Sequence, residues 1–547
     1  MKKNRRRNAA IGALVAVLLV AAALRIPFLH LDLPFLYDSD EPIFVNAAMT
    51  MLRDRDPNPH WFGAPAGTTI YTLAVMYAGW FAAERVTGTI HGAEDFRRQY
   101  QSDPTIFYEL GRALSCVYAL GIVAMAYFIA RRLATPRAAL LAAAMVALSP
   151  RVISLSLLVR MDSAMAFFML AGLWFCLDIL DGPDRTVGGV AMPYALAGVC
   201  LGLAVASKYP AVVLGIVIVA AHAIAWGSRR WQLVAVAAGS SLATAFIVSP
   251  FLFLDFGDVL HDVRLEARGN HLGAEGHGFV LNFWRYVTDS LPAAISWIGV
   301  ALLVTLVVFC WRDRHAPLRK RPAVLVAGYA LAFTAFIASL NLWWDRWFLP
   351  VIPAAAILAA IVADRIGAAM GRVAFGIVCA AVLIALGIQC LALEREMAGP
   401  NTRTLARDWV LASVPAGSRI AVESADPELP FARYTLFEVP AVNPSGVPGA
   451  PAEEIGTLRE VTPAKTSYRM QDEPEGILGQ LRNIEELKRA QVRYAVIGTY
   501  YPRYAEERAR YPQIVSTYQA IMNTGRKIWE SPPGRLRGGH VEIYRLP

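Results

Sequence analysis

Charge is scarce in this chain. Only 17% of its 547 residues are Asp, Glu, Lys or Arg, where a soluble protein carries about 25%. That shortage excludes an ordinary soluble fold, and the 56% hydrophobic content points to a membrane solvent instead. Cysteine is scarce too. Cys116, Cys176, Cys200, Cys310, Cys379 and Cys390 all lie in or beside apolar runs. None falls in the polar C-terminal stretch, so neither a disulfide framework nor a zinc site is implied. The chain has no phosphate-binding glycine loop, no dinucleotide fingerprint and no internal repeat. Its net charge of +9 comes without a basic stripe interleaved with aromatics, so nucleic acid is not an expected partner.

What the chain does have is a series of apolar runs, each about 17–22 residues long, the length that crosses a bilayer as a helix. About eleven are predicted, near 9–29, 108–130, 138–157, 163–180, 189–206, 210–227, 231–250, 291–311, 322–342, 347–363 and 373–392. The first run follows Lys2, Lys3, Arg5, Arg6 and Arg7, which predicts a cytoplasmic N-terminus. It has some features of a cleaved signal peptide, but the parity of the later loops fits an uncleaved helix better. With that start, Arg131, Arg132 and Arg137, then Arg229 and Arg230, then Arg312, Arg314, Arg319, Lys320 and Arg321, then Arg365 and Arg372 all fall in inside loops. The loop at 181–188 is the exception, with two aspartates and one arginine.

The same parity places 30–107, 158–162, 207–210, 251–290, 341–346 and everything after about 400 on the outer face. Segments 42–52 and 66–83 read as helices lying along that outer surface. After residue 399 the composition turns polar. A helix is predicted over 402–411 behind an Asn401 or Thr402 cap. Strands are predicted at 419–423, 493–498 and 540–545, and helices at 483–490 and 513–523. The expected organisation is a membrane domain, 1–399, and a small extracytoplasmic α/β domain, 400–547.

Unusual polar groups gather on the outer face. Asp38, Asp40 and Glu41 come first, directly after the first span. Crowded carboxylates raise one another's pKa values, which suits a general base or a cation site. Acids at this position equally suit the start of the helix near Pro42. Spacing alone leaves both readings open. Asp162, Lys208, Arg268 and Arg346 fall on the same face, Arg346 following the aromatic run 341–345, NLWWD. Arg346 reads either as an anion ligand or as a partner of Asp345. Trp343, Trp344 and Trp347 read as an interfacial belt. The loop 268–278, RGNHLGAEGHG, offers His271, Glu275 and His277 to a metal, but its glycine density fits a flexible substrate loop better.

An acidic pair after the first helix, the segment NAAMTML at 46–52, RMDSA at 160–164, RWFLP at 346–350 before Pro353, and NTRTLARDWV at 401–410 followed by VPAGSRI at 414–420 occur in that order. The set resembles the C-type (GT-C) glycosyltransferases of the protein O-mannosyltransferase and aminoarabinose lipid A transferase superfamily. The resemblance implies an all-α polytopic membrane protein of about eleven to thirteen spans, with surface helices in the first outer loop and a small C-terminal α/β domain. It implies a bacterial inner-membrane enzyme that transfers a sugar from a polyprenyl phosphate to a lipid, glycan or protein hydroxyl, with inversion.

Carried onto this sequence, the resemblance makes Asp40 the base, with Asp38 as rival. Glu41 would orient it or bind sugar, and Asp162 would be a second acidic contact. Lys208, Arg268, His271 and Arg346 would bind substrate. Membrane lipids are expected partners. No cofactor is required, and a divalent cation is compatible with the acids. One segment departs: the aminoarabinose branch has a basic and acidic pair before Pro-Pro, where 61–67 here reads WFGAPAG. The rival class is a transporter or flippase of a lipid-linked glycan, which would show repeated halves and broken helices at mid-membrane.

Overall fold

The computed structural model describes residues 2–38, 40–182, 189–267, 272–274, 276–312, 321–423, 427–430, 432–439 and 484–547. Among these residues, eight helices are long and apolar enough to cross a membrane: Asn8–Phe28, Thr105–Leu133, Asp162–Leu180, Tyr209–Trp226, Phe279–Trp311, Arg321–Ala338, Val351–Met370 and Arg372–Met397. A bent pair of helices lies over the run expected at 138–157. Pro136–Leu148 and Pro150–Ser156 meet at 54°, because Pro150 cannot continue the helix it follows. Ala191–Ser207 and Gln232–Val248 are shorter apolar helices, and they fill the remaining two expected places.

The chain is therefore a multi-pass membrane protein, and each predicted run has a helix over it. Most bounds shift by a few residues, Val351–Met370 ends seven residues beyond the expected 363, and one start differs most. The run expected at 291–311 begins twelve residues earlier, at Phe279, through the segment Phe279–Arg285 and a wide π-turn at Tyr286–Ser290. Those lead into Leu291–Arg312, which is interrupted at Ser296 with φ 64°. Polar Asn282, Arg285, Thr288 and Asp289 hid the continuity from a search for unbroken apolarity.

Val351–Met370 is the packing centre. It contacts Thr105–Leu133, Pro136–Leu148, Leu291–Arg312, Arg321–Ala338 and Arg372–Met397. Ala354, Ala355, Ala356, Ala359, Ala360 and Ala363 are all buried along it. Small side chains let helix backbones approach closely, the main attraction available where lipid is as apolar as the side chains themselves.

At one end of the bundle the expected inside arginines find acids. Arg132 reaches Asp178 at 2.8 Å and also Asp181, while Arg137 Nε lies 3.4 Å from Asp364. Asp181 belongs to the loop that broke the charge pattern, and it pairs with one of the arginines that made it. Residues 183–188 and 313–320, with Arg314, Arg319 and Lys320, lie outside the described residues.

At the other end, Glu41–Asp54 and Gly67–Thr87 form the two expected helices of the first long loop. Gly67 packs so tightly on the end of Gln232–Val248 that a Cβ there would sit 1.7 Å from Ser249 Oγ. Beside it, Ala66 donates its N–H to Ser207 O at 3.1 Å, at the end of Ala191–Ser207.

Among the described residues, the C-terminal region holds a mixed five-stranded sheet. Its strands are β1 (Arg419–Val422), β2 (Thr435–Glu438), β3 (Tyr494–Ile497), β4 (Arg526–Glu530) and β5 (Glu542–Arg545), in the order β2-β1-β3-β5-β4. β1 lies parallel to β2 and β3, and β5 lies antiparallel to β3 and β4. Helices Thr402–Ser413, Ile484–Arg489, Tyr500–Glu506 and Pro512–Thr524 accompany it. The sequence located β1, β3 and β5, whose buried positions are apolar. It missed β2 and β4; β4 reads RKIWE, a charged edge strand with little alternation to detect.

Candidate active site

The acid cluster sits on the loop that leaves the first span. Asp38 Oδ1 accepts the Asp40 backbone N–H at 3.0 Å, a local turn that aspartate side chains favour. Glu41–Asp54 then begins, with Pro42 in its first turn, where a missing N–H does no harm. Asp40 stands at the N-cap position, yet its side chain makes no capping bond. The helix-capping reading of Asp40 therefore falls, because its carboxylate is turned toward cations.

Those cations come from two other loops. Arg346 Nη1 lies 2.6 Å from Asp40 Oδ2, and Arg160 Nη1 lies 3.0 Å from the same oxygen. Arg160 Nη2 also donates to Asp38 Oδ2 at 2.6 Å. Two acids and two guanidiniums thus form a quartet linked in the order Asp38, Arg160, Asp40, Arg346. Arg346 is not the partner of its neighbour Asp345, because Asp345 is taken by Arg151 at 2.9 Å. The Arg346 guanidinium also stacks 4.3 Å from the Trp344 ring centre, so the tryptophan run holds cations: Arg285 lies over Trp343 and Lys208 over Trp347.

Burial raises the Asp40 pKa and is the largest single influence. The Arg160 and Arg346 charges together outweigh it and hold the carboxyl down at about 2. Burial likewise opposes the charge on Arg160, but Asp38, Asp40 and Asp162 around it push its pKa above the ordinary arginine value.

Asp162 and Lys208 form the floor beside this quartet. Lys208 Nζ reaches Asp162 Oδ1 at 2.8 Å with both side chains buried. Lys208 sits where Ala191–Ser207 stops and its own backbone becomes extended before Pro210. Asp162 opens the next span and feels the charges of Arg346 and Arg160 as well. Substituting Lys208 with Ala strands a buried carboxylate within range of those two arginines. The expected loss is about 1–3 kcal/mol, read as a lower melting midpoint in detergent, and Lys208→Ala/Asp162→Asn should recover most of it.

Glu41 is one residue from Asp40 but faces elsewhere. Its side chain is 1% exposed, against 30% for Asp40. Arg112 grips both its oxygens at 2.9 and 2.7 Å, and Val159 N–H donates to it at 2.8 Å. Arg112 also donates to the Leu29 and Leu31 carbonyls at 3.0 and 2.7 Å. Glu41 therefore locks the start of its helix to the first loop rather than lining the opening.

The structure thus brings together Asp38, Asp40, Arg346, Asp162 and Lys208, and places Glu41 behind them. Arg268 and His271, with Glu275, lie outside the described residues. Two partners went unnoticed in the sequence. Arg160 was visible in the RMDSA segment as part of a pattern only. Arg112 carried a clear signal, since a charge inside the apolar run 108–130 is costly unless it has a task.

Arg160 Nε, Arg346 Nε and Asp162 Oδ2 are buried without a hydrogen-bond partner among the described residues. Buried polar atoms are ordinarily paired, so these three leave hydrogen-bonding capacity beside Asp40. Among the described residues, metal-ligand spacing occurs elsewhere, at Glu530, His540 and Glu542. There Lys527 Nζ already bridges Glu530 at 2.6 Å and Glu542 at 3.0 Å.

The apo crystal structure of ArnT from Cupriavidus metallidurans matches this architecture over 98% of each chain, with a TM-score of 0.55 at 17% identity. The fold is that of the GT-C glycosyltransferases. The same ArnT bound to undecaprenyl phosphate matches 98% of this chain and 97% of its own, with a TM-score of 0.51 at 15% identity. The Archaeoglobus fulgidus oligosaccharyltransferase in its apo form matches 95% of this chain and 73% of its own, with a TM-score of 0.50 at 13% identity. The sequence model of the dolichyl-phosphate-mannose-protein mannosyltransferase family matches residues 77–261, the stretch that carries Arg112, Arg160, Asp162 and Lys208. No curated protein matches the chain in sequence. The GT-C resemblance, of the ArnT and protein mannosyltransferase kind, accordingly rests on one sequence family and on the whole-chain fold.

Proposed function

We propose that this GT-C protein transfers a sugar from a polyprenyl phosphate to a hydroxyl acceptor, a lipid, glycan or protein, on the extracytoplasmic face of the bacterial inner membrane. The observation that carries the reading is the partly open Asp40 carboxylate held between two guanidiniums at one end of an apolar bundle. A base and a pair of cations side by side are what a phosphate-leaving displacement needs. In this reading residues 1–399 are the membrane catalytic domain, and 400–547 are a domain covering its active face.

The step runs as follows. The acceptor hydroxyl gives its proton to Asp40 as its oxygen attacks the anomeric carbon. The bond from that carbon to the phosphate oxygen breaks with inversion, and the electron pair leaves on the lipid phosphate. Arg346 and Arg160 are the cations placed to receive that charge, each with an Nε–H to spare. As the phosphate takes over the guanidiniums, the countercharge that holds Asp40 at a low pKa is withdrawn from it, and its basicity rises during the reaction. Asp38 is the weaker candidate, since it is committed to Arg160 and to the Asp40 N–H. Glu41 acts as a positioning residue through Arg112.

The test is transfer by the purified protein, supplied with a panel of undecaprenyl-phosphate sugars and with hydroxyl acceptors, comparing wild type, Asp40→Asn and Asp38→Asn. Full activity in both variants overturns the base assignment, and no product with any pair favours a transporter. A second measurement uses pH. A depressed pKa keeps the carboxylate ionised as pH falls, until about 2. The kcat/KM of wild type should then show no Asp40 acid limb from neutral pH down to about pH 4. In Arg346→Ala, which lacks one of the two cations, that limb should move up toward the ordinary aspartate range.

A further inference from the structure

Asp40 and Arg346 are 306 positions apart and meet at 2.6 Å. Both loops that bring them together are tied to the C-terminal region. On the acid side, Asp32 Oδ2 accepts from Arg537 Nη1 at 2.6 Å and from Asn401 Nδ2 at 3.1 Å. Leu36 N–H donates to Glu428 Oε1 at 3.1 Å, and Arg403 Nη1 donates to Tyr37 O at 2.8 Å. The Tyr37 hydroxyl meets Thr404 Oγ1 at 3.0 Å. Asn401 and Arg537 are themselves joined, Thr402 N–H donating to Arg537 O at 2.9 Å and Arg537 N–H to Pro400 O at 3.0 Å. The strap 32–37 is thus pinned from the far end of the chain just before Asp38 and Asp40.

On the arginine side the tie passes through a relay. Gly273 N–H donates to Glu507 Oε1 at 2.9 Å, and Leu272 packs on the apolar core under the sheet. Trp343 N–H then donates to Ala274 O at 2.9 Å, and Gly276 N–H to Asn341 O at 3.1 Å. A Cβ on Gly276 would sit 2.4 Å from Asn341 O, so this close pairing requires glycine. Arg346 follows three residues after Trp343.

We propose that the C-terminal region is a two-point clamp that sets the Asp40–Arg346 geometry, with Asp32, Arg537 and Glu507 as positioning residues. The proposal rests on the transfer reading above for its effect on turnover, but not for its effect on the loops. A loop free to shift by about 1 Å at a reacting centre loses up to about 100-fold in rate.

Asp32→Ala, Arg537→Ala and Glu507→Ala should therefore lower kcat by about 10- to 100-fold with the melting midpoint nearly unchanged. The charge swap Asp32→Arg/Arg537→Asp should recover part of the loss, which general destabilisation would not permit. Hydrogen exchange provides the second readout. Amides at 32–41 should exchange faster in the Asp32 and Arg537 variants, and those at 341–347 in the Glu507 variant. Unchanged exchange in all three overturns the clamp whatever the activity. Altered exchange with wild-type kcat overturns its role in turnover. If wild type transfers no sugar at all, the transfer reading fails and exchange alone decides the clamp. If Asp40→Asn stays active while the clamp variants are slow, the base assignment fails and the clamp stands.

Discussion

An Asp40→Asn protein should bind undecaprenyl phosphate as well as wild type while its kcat falls by about 100- to 10,000-fold, the usual contribution of a positioned general base. The amide keeps the shape of the side chain and one oxygen for Arg346, but it cannot accept the acceptor's proton. Removing the negative charge also weakens the hold on Arg346 and on the Arg160 Nη1 that faced Asp40, while Asp38 keeps Arg160 Nη2, so affinity for the lipid phosphate should hold or rise. That opposite movement of binding and turnover separates loss of a base from loss of a fold. Asp38→Asn should show a smaller fall, because Asp38 acts on Arg160 and on the backbone of Asp40. Equal loss in both variants would mean that the quartet works as one electrostatic unit.

The largest stability effect should come from Arg112→Ala. It leaves Glu41 as an uncompensated buried carboxylate, 1% exposed, and removes two donors from the Leu29 and Leu31 carbonyls. Breaking one partner of a buried ion pair costs about 3–5 kcal/mol, which should be visible as a large drop in melting midpoint in detergent and poor recovery from membranes. Arg112→Met/Glu41→Gln should be much less harmful than Arg112→Ala, since no buried charge is stranded. If Arg112→Ala instead melts like wild type but turns over slowly, Glu41 belongs with the chemistry after all.

Much of the fold was legible in the sequence, and the spans show why. Length and apolarity are local properties of a segment, set by the bilayer thickness. All eleven runs therefore lie over helices, and the largest boundary difference lies where polar Asn282, Arg285 and Asp289 interrupt the run. The Asn401 cap was legible for the same reason: its Oδ1 accepts Arg403 N–H at 3.0 Å, a bond made two residues away. β4 was not, because an edge strand with two exposed basic residues carries no pattern of burial.

The candidate site was legible in its parts and not in its pairings. Sequence alone placed Asp38, Asp40, Glu41, Asp162, Lys208 and Arg346 in loops that parity puts on one face. Adjacent residues entering a helix point about 100° apart, so Asp40 meets Arg346 and Arg160 while Glu41 turns inward to Arg112. No spacing rule foretells which of four cations each acid meets, for the partners lie 46 to 306 positions away. The sequence by itself determined a membrane bundle with acids and cations collected at one end. Only the tertiary structure decided that one carboxylate stays open between two arginines and its neighbour is sealed, because burial and pairing depend on where distant loops are brought to meet.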